Sequence, residues 1–63
     1  MKYIAVLFFS IGGEAMHIKM DSKYDTYFQC AYHAIGYRTQ LNQLLEETNM
    51  PNWATTWTCK VDQ

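Results

Sequence analysis

The chain of 63 residues carries little charge and no excess of one sign, with five Lys and Arg residues against six Asp and Glu residues. Binding to a nucleic acid backbone requires clustered Lys and Arg, and attraction to an anionic membrane surface has the same requirement. We therefore expect neither nucleic acid nor membrane as a partner. The length sets a second limit, because residues 1–63 suffice for a single small domain with a small core.

The sequence also lacks the spacings that accompany thiol and metal chemistry. Its two cysteines, Cys30 and Cys59, are too far apart for a Cys-x-x-Cys redox motif. A zinc ion held by Cys30, His33, Cys59 and His17 would have only one close ligand pair, whereas convincing sites have two. Cys30 and His33 also lack a third group that would orient them as nucleophile and base. We predict no catalytic residue, no metal ligand, no cofactor and a protein that is not an enzyme.

No apolar run is long enough to cross a bilayer as a helix. The apolar segment 3–9 could belong to a signal peptide that begins with Met1-Lys2 and is cleaved near Ala15, or it could be a buried strand. We favour the strand, because Lys2 alone makes a poor charged region and removal of residues 1–15 would leave one good strand. Cleavage would instead make the protein periplasmic or secreted.

Alternating apolar positions predict three strands. Residues 3–10 are apolar on both alternating sets, which is typical of a central strand covered on both faces. Gly12-Gly13 then supplies a hairpin turn. Residues 15–20 and 55–61 alternate between apolar and polar, as half-exposed strands do. We expect the apolar set of the last strand, which includes Trp57 and Cys59, to face the helix.

One long helix is predicted between the second and third strands. Ser22 is a good N-cap and Asp25 has the capping-box position, so the helix should run from about Lys23 to Thr48, with Asn49 and Pro51 ending it. Arg38 should extend to the surface or pair with a glutamate. At about 100° per residue, one apolar stripe with Cys30 on its flank is expected to face the sheet: Tyr24, Tyr27, Phe28, Ala31, Ala34, Ile35, Tyr37, Leu41, Leu44 and Leu45.

These elements predict an α+β fold of β-β-α-β order, with a three-stranded antiparallel sheet of order 2-1-3 and one long helix packed on one face. This topology brings Cys30 close to Cys59. A disulfide, a pair of buried thiols or a metal site would each fit that proximity, and we favour the disulfide. It would stabilise the fold by roughly 3–4 kcal/mol.

The predicted fold leaves apolar surface uncovered. One helix covers one face of the sheet, yet the first strand is apolar on both faces, and a helix of this length would overhang the strands unless Gly36 bends it. Surplus apolar surface usually marks a protein interface. We expect a homo-oligomer or a host protein as partner, with these interface candidates: Ile4, Val6, Phe8, Leu41, Leu44 and Leu45.

The segments 27–31 (YFQCA) and 57–61 (WTCKV) resemble short uncharacterised phage and bacterial proteins with a β-hairpin, a cysteine-bearing helix and a C-terminal cysteine-bearing strand. The resemblance implies no activity and favours a phage-encoded accessory protein; the localisation is left open, and would be the host cytoplasm if the protein is phage-encoded. We predict a small protein-binding protein that inhibits or modulates a host protein. The alternatives are a secreted or periplasmic structural domain stapled by a disulfide and, third, a ligand- or metal-dependent enzyme.

Overall fold

The computed structural model describes residues 1–62 and has three strands and one helix, in the order β1 (Lys2–Ile11), β2 (Glu14–Tyr24), α1 (Tyr27–Glu47) and β3 (Ala54–Asp62). Both sheet neighbours of β1 are antiparallel to it, and the strand order is β2-β1-β3. The predicted α+β fold, strand order and single helix are confirmed. The strands extend beyond the predicted bounds, because pairing on both sides of β1 holds it from Lys2 to Ile11.

The two faces of the sheet follow from the register of the central strand. Ala5 pairs with Cys59 and Leu7 with Trp57, and this odd-numbered set of β1 faces α1. The even-numbered set, which includes Ile4, faces away from the helix and is called the open face below. The β1–β2 hairpin turns at two glycines with φ of 59° and 87°, values that suit a type I′ turn. The predicted turn is therefore confirmed.

The helix begins later than predicted. Ser22 does not cap it, because β2 continues to Tyr24, which pairs with Tyr3. A bulge makes this continuation possible, since a single residue of β1 lies opposite three residues of β2 between the Ile4–Lys23 and Val6–Lys19 pairs. The N-cap is Thr26, whose hydroxyl accepts a hydrogen bond from the N–H of Gln29 at 3.1 Å.

The helix ends close to the predicted stop. Thr48 is the C-cap, and Asn49 follows it in the left-handed region with φ of 54°. The N–H of Asn49 donates to the carbonyl of Glu46 at 3.2 Å, and the N–H of Met50 donates to the carbonyl of Leu45 at 3.1 Å. This pair of bonds is a Schellman motif, which satisfies helix carbonyls that would otherwise lack partners.

Small residues let the helix lie close to the sheet. Ala5, Cys30 and Ala34 are fully buried and form the centre of the core. The helix packs mainly against β1 and β3 and makes little contact with β2. Its 21 residues span about 32 Å and the ten residues of β1 about 33 Å, so the predicted overhang is wrong. The helix continues without interruption through Gly36, which does not fold its second half back.

Candidate interaction surface

The two cysteines meet where the topology places them. Cys30, in the first turns of α1, is joined to Cys59 of β3, with their Cα atoms 6.2 Å apart. Cys30 is fully buried, and Cys59 packs against the same core cluster. The predicted proximity is confirmed, and the geometry is that of a disulfide. Such a bond fixes which side of the helix faces the sheet.

The open face is not the apolar surface that the sequence suggested. Ile4 and Val6 are each only 3% exposed, although no helix covers them. Their neighbours across the strands are long or polar, since Ile4 lies between Lys23 and Lys60, and Val6 lies beside Lys19. Lysine side chains lay their methylene groups along apolar surface while the ammonium group stays in water. Ile4 and Val6 therefore expose little apolar surface to a partner.

All four lysines of the chain belong to this open face, as the register of Lys2, Lys19, Lys23 and Lys60 shows. The Nζ of Lys23 contacts the carboxylate of Asp62 at 2.7 Å, across the central strand. That hydrogen bond and the lysine charge hold the pKa of Asp62 below its usual value of 3.8. The paired charges over Ile4 make this half of the open face polar.

A second ion pair lies at the same end of the sheet as Lys23 and Asp62. Lys2 contacts the carboxylate of Asp25, which lies between β2 and the helix N-cap. The hydrogen bond from Lys2, with its positive charge, lowers the pKa of Asp25 from 3.8. Both partners are well exposed, so the pair contributes little to stability.

The other half of the open face carries the remaining apolar candidate of β1. Phe8 is 42% exposed and its ring lies 6.1 Å from that of His17 on β2. Small side chains, Ala15 and Ala54, surround it and leave a shallow depression of about 230 Å³. Phe8 stays an interface candidate, but a single exposed aromatic does not make a large apolar patch.

The three leucine candidates in the second half of α1 differ in how far their side chains are exposed. Leu45 is 3% exposed and belongs to the core, Leu41 is half-buried, and Leu44 is 56% exposed. Leu44 alone is accessible to a partner. Of the three interface candidates on the helix, Leu41 and Leu45 therefore lie towards the packed side and Leu44 does not.

The two most exposed apolar side chains of the helix lie in its first half. Phe28 is 79% exposed, Tyr32 is 70% exposed and Ile35 is 49% exposed. Their spacing of i, i+4 and i+7 places them on one stripe, which points away from the side that carries Cys30 and Ala34. We call Phe28, Tyr32 and Ile35 the outer stripe.

The outer stripe was not predicted from the sequence, because hydrophobicity favours large apolar residues as core residues. Phe28 and Ile35 were predicted to face the sheet, and the structure exposes both. The true buried stripe is Cys30, Ala34, Leu41 and Leu45, with small residues at the closest approach. Cys30 is the sequence signal that could have identified the buried side of the helix, since a cysteine bonded to the sheet must lie at the centre of that side.

Polar contacts on both flanks hold the helix in this orientation. On the β3 side, the Nε of Arg38 donates to the hydroxyl of Thr55 at 3.2 Å, and that hydroxyl also contacts the side chain of Asn42. Arg38 thus bonds to the sheet. The sequence had predicted that it would extend to the surface or pair with Glu46 or Glu47. On the β2 side, the rings of Tyr24 and His33 stack with centroids 4.8 Å apart. Together these contacts direct the outer stripe towards solvent.

Within residues 1–62, no group of three or more His, Cys, Asp and Glu side chains could hold a metal ion. The described helix is not long and apolar enough to span a membrane. No protein family, curated protein or solved structure matches this chain.

Proposed function

We propose that this domain is a non-enzymatic protein-binding module that engages its partner through the outer stripe of α1. The observation that carries the proposal is the exposure of Phe28 and Tyr32, at 79% and 70%, on a helix whose opposite side is fixed to the sheet. Apolar side chains at i, i+4 and i+7 are the anchors by which a helix binds a groove on another protein. Large exposed aromatics also dominate the binding energy of many interfaces.

The scaffold suits this role because it presents the stripe rigidly. The disulfide at Cys30, the hydrogen bond from Arg38 to Thr55 and the stacking of Tyr24 on His33 hold the helix from both flanks. A preformed helix loses little conformational entropy on binding, so more of the contact energy appears as affinity. The resemblance to phage proteins adds the biological setting of the proposal, in which a phage-encoded accessory protein inhibits or modulates a host protein.

Site-specific photo-crosslinking in the cells that make the protein tests this function. A photoreactive phenylalanine analogue at position 28 should form an adduct with another polypeptide, and the adduct should disappear when Tyr32→Ser is added. The matched control carries the same analogue at Gln40, which is exposed on another side of the same helix, about 120° from Phe28. Equal adducts at the two positions, or none at position 28, would contradict the proposal.

A second candidate function is supported by the cysteine pair. A disulfide that joins helix to sheet favours a structural domain of an oxidising compartment, secreted or periplasmic, because reduced thiols prevail in the cytosol. Alkylation of free thiols in intact cells, before lysis, distinguishes an oxidising compartment from the cytosol. Cys30 and Cys59 should resist alkylation if the protein resides in an oxidising compartment, and they should both react after denaturation if it resides in the cytosol.

A further inference from the structure

Gly36 lies near the middle of α1, and the described chain contains no structural reason for a glycine there. Its φ is not among the positive values that favour glycine. A Cβ atom added at this position would meet no heavy atom within 4 Å, apart from the neighbouring helix backbone. Glycine weakens a helix relative to alanine, so an unforced glycine at this position needs a reason outside the fold.

The position of Gly36 on the helix surface suggests that reason. Phe28, Tyr32 and Gly36 are spaced four apart and form one ridge, in which two large projecting side chains are followed by a gap. Helices pack by placing the ridges of one into the grooves of the other, most often with i±4 ridges and a crossing angle near −50°. When a two-fold axis relates two copies of such a ridge, a large side chain of one copy can fill the gap at the glycine of the other, and the reverse contact is equivalent.

The charge of this part of the helix favours a second copy over a charged partner. From Tyr27 to Tyr37 the chain has no Lys, Arg, Asp or Glu. Two copies of this surface can therefore meet without like-charge repulsion. A partner with charged side chains at the contact would lose their hydration with no opposite charge to receive them.

We propose that two copies of this chain associate through α1, with the helices crossing between Tyr32 and Gly36, so that Tyr32 of each copy packs over Gly36 of the other. The inference rests on the proposed function, because it names a second copy, in place of a host protein, as the occupant of the same outer stripe. A standard interface buries about 800 Å² per partner, or roughly a sixth of the 4553 Å² accessible surface of this chain. Two crossed helices bury less, so the dimer should form at micromolar concentrations.

Sedimentation velocity of the oxidised protein, from low to high micromolar concentration, tests the dimer. The wild type should show a concentration-dependent dimer, and Gly36→Ala should weaken it about tenfold. The same variant should raise the midpoint of thermal unfolding where the protein is monomeric, since alanine is the better helix residue and meets no neighbour. These opposite effects separate a lost interface from a damaged fold.

Two further variants locate the contact. Phe28→Ser should dissociate the dimer, whereas the matched control Leu44→Ser, which removes an exposed leucine on another flank of the same helix, should leave it intact. A wild type that is monomeric at every concentration overturns the dimer, and photo-crosslinking at position 28 then still reports on the proposed function. A dimer that survives Gly36→Ala, or that dissociates only with Leu44→Ser, also overturns the inference.

Discussion

Removal of the bond between Cys30 and Cys59 is the strongest perturbation that the structure suggests. The bond closes a loop with a sequence separation of 29 and joins α1 to β3. The double variant Cys30→Ala, Cys59→Ala removes it and leaves small apolar side chains in its place. Alanine already occupies the neighbouring core positions 5 and 34, so the substitution introduces no polar group into the core.

The expected loss is large for a chain of this size. In the chain-entropy picture, a loop of this length contributes about 3.5 kcal/mol at 25 °C. A domain of 63 residues has a free energy of unfolding of about 3–9 kcal/mol. Its entropy of unfolding is about 130 cal/mol/K, so the midpoint of thermal unfolding should fall by roughly 25 °C. If the free energy of unfolding of the wild type lies at the lower end of its range, the double variant would be partly unfolded at 37 °C.

Circular dichroism during heating, with and without reductant, measures the effect. Reductant should lower the midpoint of the wild type to that of the double variant and should leave the double variant unchanged. Each single variant should resemble the double variant, because either substitution opens the loop. An unchanged wild-type midpoint under reducing conditions, confirmed by alkylation of both thiols, would refute the reasoning and leave Cys30 and Cys59 as buried thiols.

Three smaller perturbations test the helix cap, the core and an ion pair. Thr26→Ala removes the hydroxyl that accepts from the N–H of Gln29 and should lower the free energy of unfolding, measured in urea, by about 1 kcal/mol; no change would mean that another group caps α1. Ala34→Leu should cost about 1–3 kcal/mol in the same assay, because Ala34 is fully buried between helix and sheet, and a stabilised variant would contradict this close packing. Lys23 holds the pKa of Asp62 below 3.8, so the pair stabilises the folded state above the unfolded pKa and this stabilisation is lost as the pH falls through the folded pKa. Asp62→Asn should accordingly be less stable than the wild type at neutral pH and converge with it well below pH 3.8, whereas a constant difference at all pH values would contradict the assignment.

The sheet could be predicted from the sequence because its signals are local. Period-two alternation in residues 55–61 and the glycine pair at the hairpin specify strands and a turn without reference to the rest of the chain. The start of the helix could not be predicted in the same way. Ser22 is a good cap by type, but pairing of Tyr24 with Tyr3 stabilises strand there, and a bulge that no local pattern announces makes this pairing possible.

The candidate surface was harder to predict than the fold. Burial on the open face depends on lysine stems from two neighbouring strands, and these neighbours are known only once the register is known. The orientation of the helix depends on its closest approach to the sheet, where Cys30 and Ala34 fit and larger side chains do not. A hydrophobicity scale ranks Phe28 above both, so it assigns Phe28 to the core, although it places Ala34 and Leu45 there correctly.

The confinement of all four lysines to the open face has a practical consequence for experiments with this protein. Amine-reactive chemistry will modify the sheet side and leave α1 untouched. Coupling to a sensor surface or a bead through lysine will therefore attach the protein by its sheet side, with the helix directed outwards. Biotin or a fluorophore attached through amines should likewise report on binding at α1 without blocking it.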